Sequence, residues 1–438
     1  MTLCGAVILL CWMGGRPAPL FAQQTSAAGE ARRLTLSEAV ALALENNRDV
    51  QLAAVAVSQA EAEHQELRSL FRPQIFMGTG LAATRGFPLS IEGSAPAIFQ
   101  LSSSQSLFNR SLKNSQRQAD QMRAAAERSL EGKRDDIVAA TVLTYLDLDR
   151  SRRSLESVHN RTESFLATEQ IVAERVRAGL DTPLETTRAK LNTARSRSEQ
   201  VALENQATLL EARLRDLTGI PQTGAIATAP AEIPAERPDE SVDRLVALSQ
   251  ENNPGLQALE EEVRAKQFHV RSEEATRWPR INLVGQYGLF SDINNFSDFF
   301  RKFARHNATV GLSIVVPLYE RERHAARLSK AEAELAAAHY RLDQARAGIA
   351  QRVRELWAET QQQAAAREVA RLELELARRS VDVVLARLEE GRASRLEVEQ
   401  ARIEESQGWV SLLQTEYRAE TARIELLRVT GEIRSVFR

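Results

Sequence analysis

The side chains in this sequence that could do chemistry are few and scattered. Six histidines, His64, His159, His269, His306, His324 and His339, pair neither with one another at i, i+4 nor with carboxylates in a metal-ligand pattern. His306 falls in an expected strand-connecting loop, and the other five fall on charged helix surfaces. The two cysteines, Cys4 and Cys11, both lie in the first eleven residues, so the remainder offers no thiolate ligand, nucleophile or disulfide. No phosphate-cradling glycine loop, nucleophile elbow or His-Glu zinc motif occurs. The run Leu146-Asp147-Leu148-Asp149 alternates acid with leucine on an expected helix, where hydration of the acids is the simplest role. The sequence therefore predicts no catalytic residue, no cofactor and no metal.

Composition narrows the classes further. Lys plus Arg (57) nearly balance Asp plus Glu (59), so no basic field exists to hold a nucleic acid by counterion release. With 43% apolar and 26% charged residues, the chain is not a polytopic helical membrane protein. No proline occurs between Pro96 and Pro183 or after Pro317. Proline is the strongest helix breaker, so those stretches predict very long helices. Residues 3–13 form an apolar run too short to span a bilayer, and they read as a secretory signal with cleavage near Ala22. Leu10 before Cys11 disfavours lipidation there.

A two-fold repeat organises the rest. Val40-Ala-Leu-Ala-Leu-Glu-Asn46-Asn47 recurs as Val246-Ala-Leu-Ser-Gln-Glu-Asn252-Asn253, and Pro73 recurs as Pro279, both 206 residues on. Leu107-Phe108 recurs as Leu318-Tyr319 at 211, while Gly179, Leu184 and Thr218-Gly219 recur as Gly391, Leu396 and Thr430-Gly431 at 212. The copies cover 23–220 and 241–438, joined by a linker over 221–240 that carries Pro221, Pro230, Pro234 and Pro238.

Each copy predicts the same elements. Short helices over 36–46 and 241–252 lead into longer ones over 48–71 and 255–277, which stop before Pro73 and Pro279, where strands start. The hydrophobic period then changes from 3.6 to 2, which predicts hairpins over about 74–108 and 280–317. In 308–316, Ala308, Val310, Leu312, Ile314 and Val316 face one way, and Thr309, Gly311 and Ser313 the other. Phe99, Leu101 and Leu107 alternate with polar residues, and Ile281, Leu283, Tyr287 and Leu289 share one parity; 75–83 is the weakest strand. Of the 23 aromatic residues, 13 lie in 71–108 or 278–319, a concentration that ordinary strand propensity gives and that the interfacial girdles of a membrane barrel also give. Long helices follow over 110–178 and 319–390, and return helices over 184–218 and 395–430. Leu328, Leu335, Leu342, Ile349 and Leu356 step by seven, with Ala331, Ala338 and Ala345 in the other seam position. Leu130, Ile137, Tyr145 or Leu148, Leu155, Phe165, Val172 and Val176 form a looser seam in the first copy. Gly179 and Gly391 end the long helices. Four strands cannot close a barrel in lipid, so the chain must assemble with others.

The chain resembles the TolC-type outer-membrane efflux protein family (outer-membrane factors) over residues 34–431. The resemblance rests on Leu34-Thr-Leu-Ser-Glu-Ala-Val-Ala-Leu-Ala-Leu-Glu-Asn-Asn, Arg72-Pro73, Trp278-Pro279, Ser106-Leu-Phe-Asn and Arg175-Val-Arg-Ala-Gly-Leu-Asp-Thr-Pro-Leu-Glu. It implies a mainly α fold with a membrane β portion: a homotrimer sharing a twelve-stranded barrel in outer-membrane lipid, continued by an α-helical tunnel across the periplasm. It also implies a passive exit duct for efflux or type I secretion, working with a periplasmic adaptor protein and an inner-membrane transporter. The family's tip motif corresponds to Ala178-Gly179-Leu180 and Glu390-Gly391-Arg392, which would touch the adaptor. Glu397 corresponds to an acidic tunnel-constriction position, with Glu399 nearby and Gln400 where a second acid is often found. The competing class is a periplasmic coiled-coil adaptor or scaffold, which would share the signal and the Ala-rich helices. The two hairpins at matching places in the repeats favour the duct.

Overall fold

The computed structural model describes residues 32–80, 97–221, 226–229, 241–290 and 306–437. The signal-like segment with Cys4 and Cys11, the prolines at 230, 234 and 238, and residues 81–83 of the first expected strand lie outside them.

The first repeat begins with β1 (Arg32–Leu34) and α1 (Leu36–Asn46). Thr35 caps α1 in a reciprocal box: the Glu38 amide donates to Thr35 Oγ1 at 3.3 Å, and the Thr35 amide donates to Glu38 Oε2 at 3.0 Å. Then come α2 (Arg48–Ser69), β2 (Gln74–Gly80), β3 (Ala97–Phe108), α3 (Arg110–Arg177) and α4 (Pro183–Thr218). After β4 (Ile226–Thr228) the order recurs: α5 (Val242–Asn252), α6 (Pro254–Glu274) with a closing 3₁₀ turn, β5 (Arg280–Phe290), β6 (His306–Val315), α7 (Arg321–Glu389) and α8 (Arg395–Thr430). A final turn, α9 (Ile433–Val436), closes the chain. The helices α3 and α7, of 68 and 69 residues, are each about 100 Å long at the α-helical rise.

The doubled Asn-Asn motif does structural work at matching places. Asn47 Oδ1 accepts from the Asp49 and Val50 amides to cap α2, while its Nδ2 donates to the Leu217 carbonyl at 3.3 Å. Asn253 Oδ1 accepts from the Leu256 amide, and its Nδ2 donates to Val429 O at 2.9 Å. One side chain thus satisfies an orphan amide at one helix start and a carbonyl at the end of the returning helix. The preceding asparagines set the glycines. Gly219 and Gly431 sit at φ 71° and 77°, and a Cβ would meet Asn46 Cβ at 2.7 Å and Asn252 O at 2.5 Å respectively.

Between the repeats, β1 and β4 form a parallel two-stranded sheet that the hydrophobic pattern did not predict. Three-residue strands carry too little periodicity to register. Their anchor is Tyr145, fully buried, whose hydroxyl lies 2.7 Å from both Leu34 O and Ala229 O and donates its one proton to either. Burial pushes this phenol up to about 12, so it remains a donor throughout the neutral range. Around it Leu34, Val138, Val142, Leu148, Leu214 and Ile424 form the largest core cluster.

The four hairpin strands make one antiparallel sheet in the order β2-β3-β5-β6. Leu283 faces Leu312, Tyr287 faces Leu101 and Met77 faces Leu101 on one face. Gln286 pairs with Thr309 and with Ser102 on the other. Val310, Leu312 and Ile314 are 80%, 62% and 62% exposed, an outward apolar band as lipid contact requires. Both outer edges, β2 and β6, lack a neighbour among the described residues.

Several expectations are corrected. His306 opens β6 instead of lying in a loop, and its Nδ1 meets the Tyr287 hydroxyl at 2.8 Å. His324 is buried, with its Nδ1 2.9 Å from Thr276 Oγ1, instead of lying on a charged surface. A register shift between Ser106 and Phe108 leaves Leu107 without a direct partner and places Phe108 opposite Ile281, so the strict alternation of the strand stops at Ser106. Leu146 and Leu148 are core residues, and their acidic neighbours are ion-paired, Asp147 to Arg150 at 2.6 Å and Asp149 to Arg153 at 2.9 Å. The second long helix starts at Arg321 instead of 319, leaving Leu318 and Tyr319 outside it. The α7 seam follows the heptads, with Ala331, Ala338, Leu342 and Leu356 buried. The lower α3 seam buries Ser151, Ser154, Ser157, Thr162 and Ser164 instead of Leu155 and Phe165.

The four left-handed glycines among the described residues are all helix ends, yet their surroundings differ. No atom lies within 4 Å of a Cβ built at Gly179 or Gly391. Gly391→Ala should therefore cost only the left-handed backbone term, about 1–2 kcal/mol. Gly431→Ala adds a collision with the Asn252 backbone, for a total of about 2–5 kcal/mol. Urea midpoints of the two variants, measured side by side, check the difference.

Candidate functional site

The helix turns at the far ends of α3 and α7 are built alike. After Ala178 the chain reverses through Gly179 at φ 71°, with the Gly179 amide donating to Val176 O at 3.0 Å and the Leu180 amide to Arg175 O at 2.9 Å. After Glu390 it reverses through Gly391 at φ 70°, with Gly391 N donating to Leu388 O at 3.0 Å and Arg392 N to Arg387 O at 2.7 Å. This paired 5→2 and 6→1 pattern satisfies the last carbonyls of each helix. The next helix begins at Pro183 in the first turn, and behind a Ser394 cap accepting from the Glu397 amide at 3.3 Å in the second.

The side chains on the two turns differ in character. Leu180 and Leu184 are 68% and 57% exposed, an apolar tip. Arg175 braces that tip by donating to Asp181 at 2.7 Å and 3.2 Å. The guanidinium holds the Asp181 carboxyl below the usual range. In the second turn Glu390 and Arg392 are exposed and pair at 3.2 Å, a polar tip.

The three carboxylate and amide candidates behind the second turn are not brought to one place. Glu397 and Gln400, three residues apart, are both exposed on one face of α8. Ser394 Oγ lies 3.3 Å from Glu397 Oε1. Glu399 points elsewhere, into a groove of about 430 Å³ between α3, α7 and α8, where it pairs with Arg402 at 3.2 Å. Glu174, Gln170, Leu388 and Arg395 line the same groove. Nothing in the sequence pointed to them, because the groove joins helices from different repeats. Pro73 and Pro279 stand one residue before β2 and β5. Among the described residues no three His, Cys, Asp or Glu side chains converge to hold a metal ion, and no helix is long and apolar enough to cross a membrane.

The Arg175–Asp181 pair predicts a pH profile. A depressed carboxyl contributes stability that is complete above the unfolded pKa, near 3.8, and is lost as pH falls through the lower folded value. Resistance of the first turn to proteolysis should thus be flat from pH 7 to about pH 4. Asp181→Asn should raise cleavage there across that range while leaving the second turn unchanged.

Comparison with known proteins agrees with this architecture. The sequence matches the family described as outer membrane efflux protein twice, over residues 39–220 and 245–432. It is 25% identical over 323 residues to Protein CyaE of Bordetella pertussis, covering 72% of this chain and 66%, just under two thirds, of that protein. The fold is similar to a membrane protein from Pseudomonas aeruginosa, with TM-score 0.74, 21% identity and 90% of each chain covered. It is also similar to the Campylobacter jejuni CmeC outer membrane channel, with TM-score 0.76, 17% identity, and 91% of this chain and 86% of that one covered. Two matches in tandem, each spanning one repeat with its hairpin and long helices, make this chain a member of the outer membrane efflux protein family, an outer-membrane protein that extends into the periplasm.

Proposed function

We propose that this chain is the exit duct of a tripartite efflux or type I secretion system. Three copies close a twelve-stranded barrel in the outer membrane, and their long helices line a tunnel across the periplasm. The apolar tip at Leu180 and the polar tip at Arg392 meet a periplasmic adaptor, and an inner-membrane transporter supplies the energy. The chain itself performs no reaction. The observation that carries this reading is the sheet whose two outer edges lack a neighbour among the described residues, since an unpaired edge is not tolerated in hydrocarbon. A stripe on α7, Val369, Leu372, Leu376 and Val383, is also exposed at heptad-like spacing, 51–69% each. A neighbouring copy supplies cover for it.

The repeat supplies the register of the closure. Inside the chain, β3 pairs with β5 so that Gln105 faces Leu283. The repeat offsets, 105 plus 211 and 283 minus 206, turn that pair into Val316 of one chain and Met77 of the next. Both side chains are exposed, 47% and 74%, and both belong to the apolar face. Met77→Cys combined with Val316→Cys should give chain-to-chain disulfides, with a ladder ending at three on a non-reducing gel. Val315→Cys, on the opposite face, should not link to Met77→Cys. Monomer alone from the first pair would rule out this closure.

Glu397 is the acidic constriction candidate that is exposed, and three carboxylates around one axis favour cations. Glu397→Gln keeps the shape beside Ser394 and removes the charge. It should reduce the cation preference of single channels, read as a reversal potential nearer zero in a salt gradient. An unchanged potential would remove Glu397 from the constriction.

A further inference from the structure

A cleft of about 470 Å³ opens where β6 gives way to α7, beside the 3₁₀ turn that leads into β5. Arg277, Arg321, Glu320 and His324 line it. Arg277 and Arg321 are exposed and form no ion pair among the described residues. The N-terminus of α7 points at the same place with no side-chain cap, whereas Asn109 caps the corresponding α3 by accepting from Leu112 N at 3.0 Å. Free first-turn amides and two guanidiniums suit an anion with several oxygens, a phosphate above all.

One exposed group suits a cation, and a buried ring nitrogen behind it lacks a partner. The Glu320 carboxylate lies on the cleft wall, with only a long 3.9 Å contact to Arg323. His324, 7% exposed, also lines the cleft. Thr276 Oγ1 donates to Glu273 O at 2.7 Å, so the His324 Nδ1–H donates to Thr276 Oγ1. That tautomer leaves a lone pair on Nε2, which has no protein partner. Leu318 and Tyr319 at the rim are 91% and 94% exposed and continue the apolar band of β6. The cleft therefore sits at the edge of the hydrocarbon, with anion and cation partners side by side.

The repeat adds a third cation. Within the chain the Arg110 guanidinium stacks on Trp278, 4.1 Å from the ring centroid. At the closing seam the corresponding residues are Arg321 (110 plus 211) and Arg72 of the partner subunit (278 minus 206). A cation on a ring becomes a cation facing a cation, which calls for a shared counter-ion. In the internal template Leu107 and Phe108 remain 50% and 41% exposed although β5 is in place, so closure leaves the rim open.

We propose that this cleft binds the phosphoethanolamine headgroup of a periplasmic-leaflet phospholipid, with phosphate on Arg277 and Arg321 and ammonium on Glu320. The membrane location is that of the family, and only the contribution of Arg72 rests on the shared barrel. Native mass spectrometry of the full chain in detergent, with added phosphatidylethanolamine, phosphatidylglycerol or inorganic phosphate, tests it. Wild type should retain up to one phosphatidylethanolamine per chain in preference to phosphatidylglycerol. Arg277→Gln with Arg321→Gln should lower the retained fraction at least tenfold at unchanged oligomer mass. Glu320→Gln should erase the preference between the two lipids. No lipid adduct on wild type, adducts from inorganic phosphate alone, or equal adducts on the double variant would each overturn the proposal. The same spectra report the oligomer mass, so failure of the trimer reading shows separately from failure of the cleft.

Discussion

Backbone amides and carbonyls without partners are intolerable in hydrocarbon, and among the described residues the sheet of this chain has two edges without a neighbouring strand. The β2 and β6 edges are the open ends of a four-stranded sheet whose outer face carries Val310, Leu312 and Ile314. That constraint organises the molecule. The internal junction β3–β5 already joins the outgoing strand of one repeat to the incoming strand of the other. Duplication thus leaves at the two outer edges the same strand types, incoming β2 and outgoing β6, that pair at the internal junction.

Below the sheet the two repeats keep one backbone and diverge in chemistry. The Asn47 and Asn253 caps, with Gly219 and Gly431 above Asn46 and Asn252, reproduce one joint twice. The long helices differ, however. α7 packs through alanine and leucine against its own repeat, whereas α3 touches α4, α6 and α8 and so contacts both repeats. Its lower seam pairs hydroxyls across helices, Ser157 with Ser406 at 2.8 Å and Thr162 with Ser196 at 2.9 Å. Each such bond contributes about 1 kcal/mol, less than a buried leucine, and fixes the axial register that bare apolar contact would leave free to slip.

Charges buried near the joint serve attachment. Asp135 on α3 pairs with Arg434 on α9 and fastens the last turn of the chain. Burial pushes the Asp135 carboxyl up, with Arg434 acting against that shift. Its ionised form therefore costs stability that Arg434 partly offsets, and falling pH relieves the cost. On α3, Arg161 pairs with Glu199 of α4 in the same spirit.

Periodicity alone determined much of this protein. Proline-free stretches and heptad leucines marked α3 and α7, period-two runs marked β3, β5 and β6, and the glycines at 179 and 391 marked the turns, because each is a local rule of backbone sterics or amphipathic burial. The doubled Asn-Asn was visible as a repeat, though not as a joint. Tertiary structure decided what depends on partners far apart in sequence. It added the β1–β4 clasp under Tyr145, turned Glu399 into an inter-repeat groove and left Glu397 exposed. It also buried His324 and broke the register of β3 between Ser106 and Phe108. Neither a three-residue strand nor the direction of one carboxylate leaves a period in the sequence, since each is fixed by side chains far away along the chain, Tyr145 for the β1–β4 sheet and the α3 and α7 residues of the groove for Glu399.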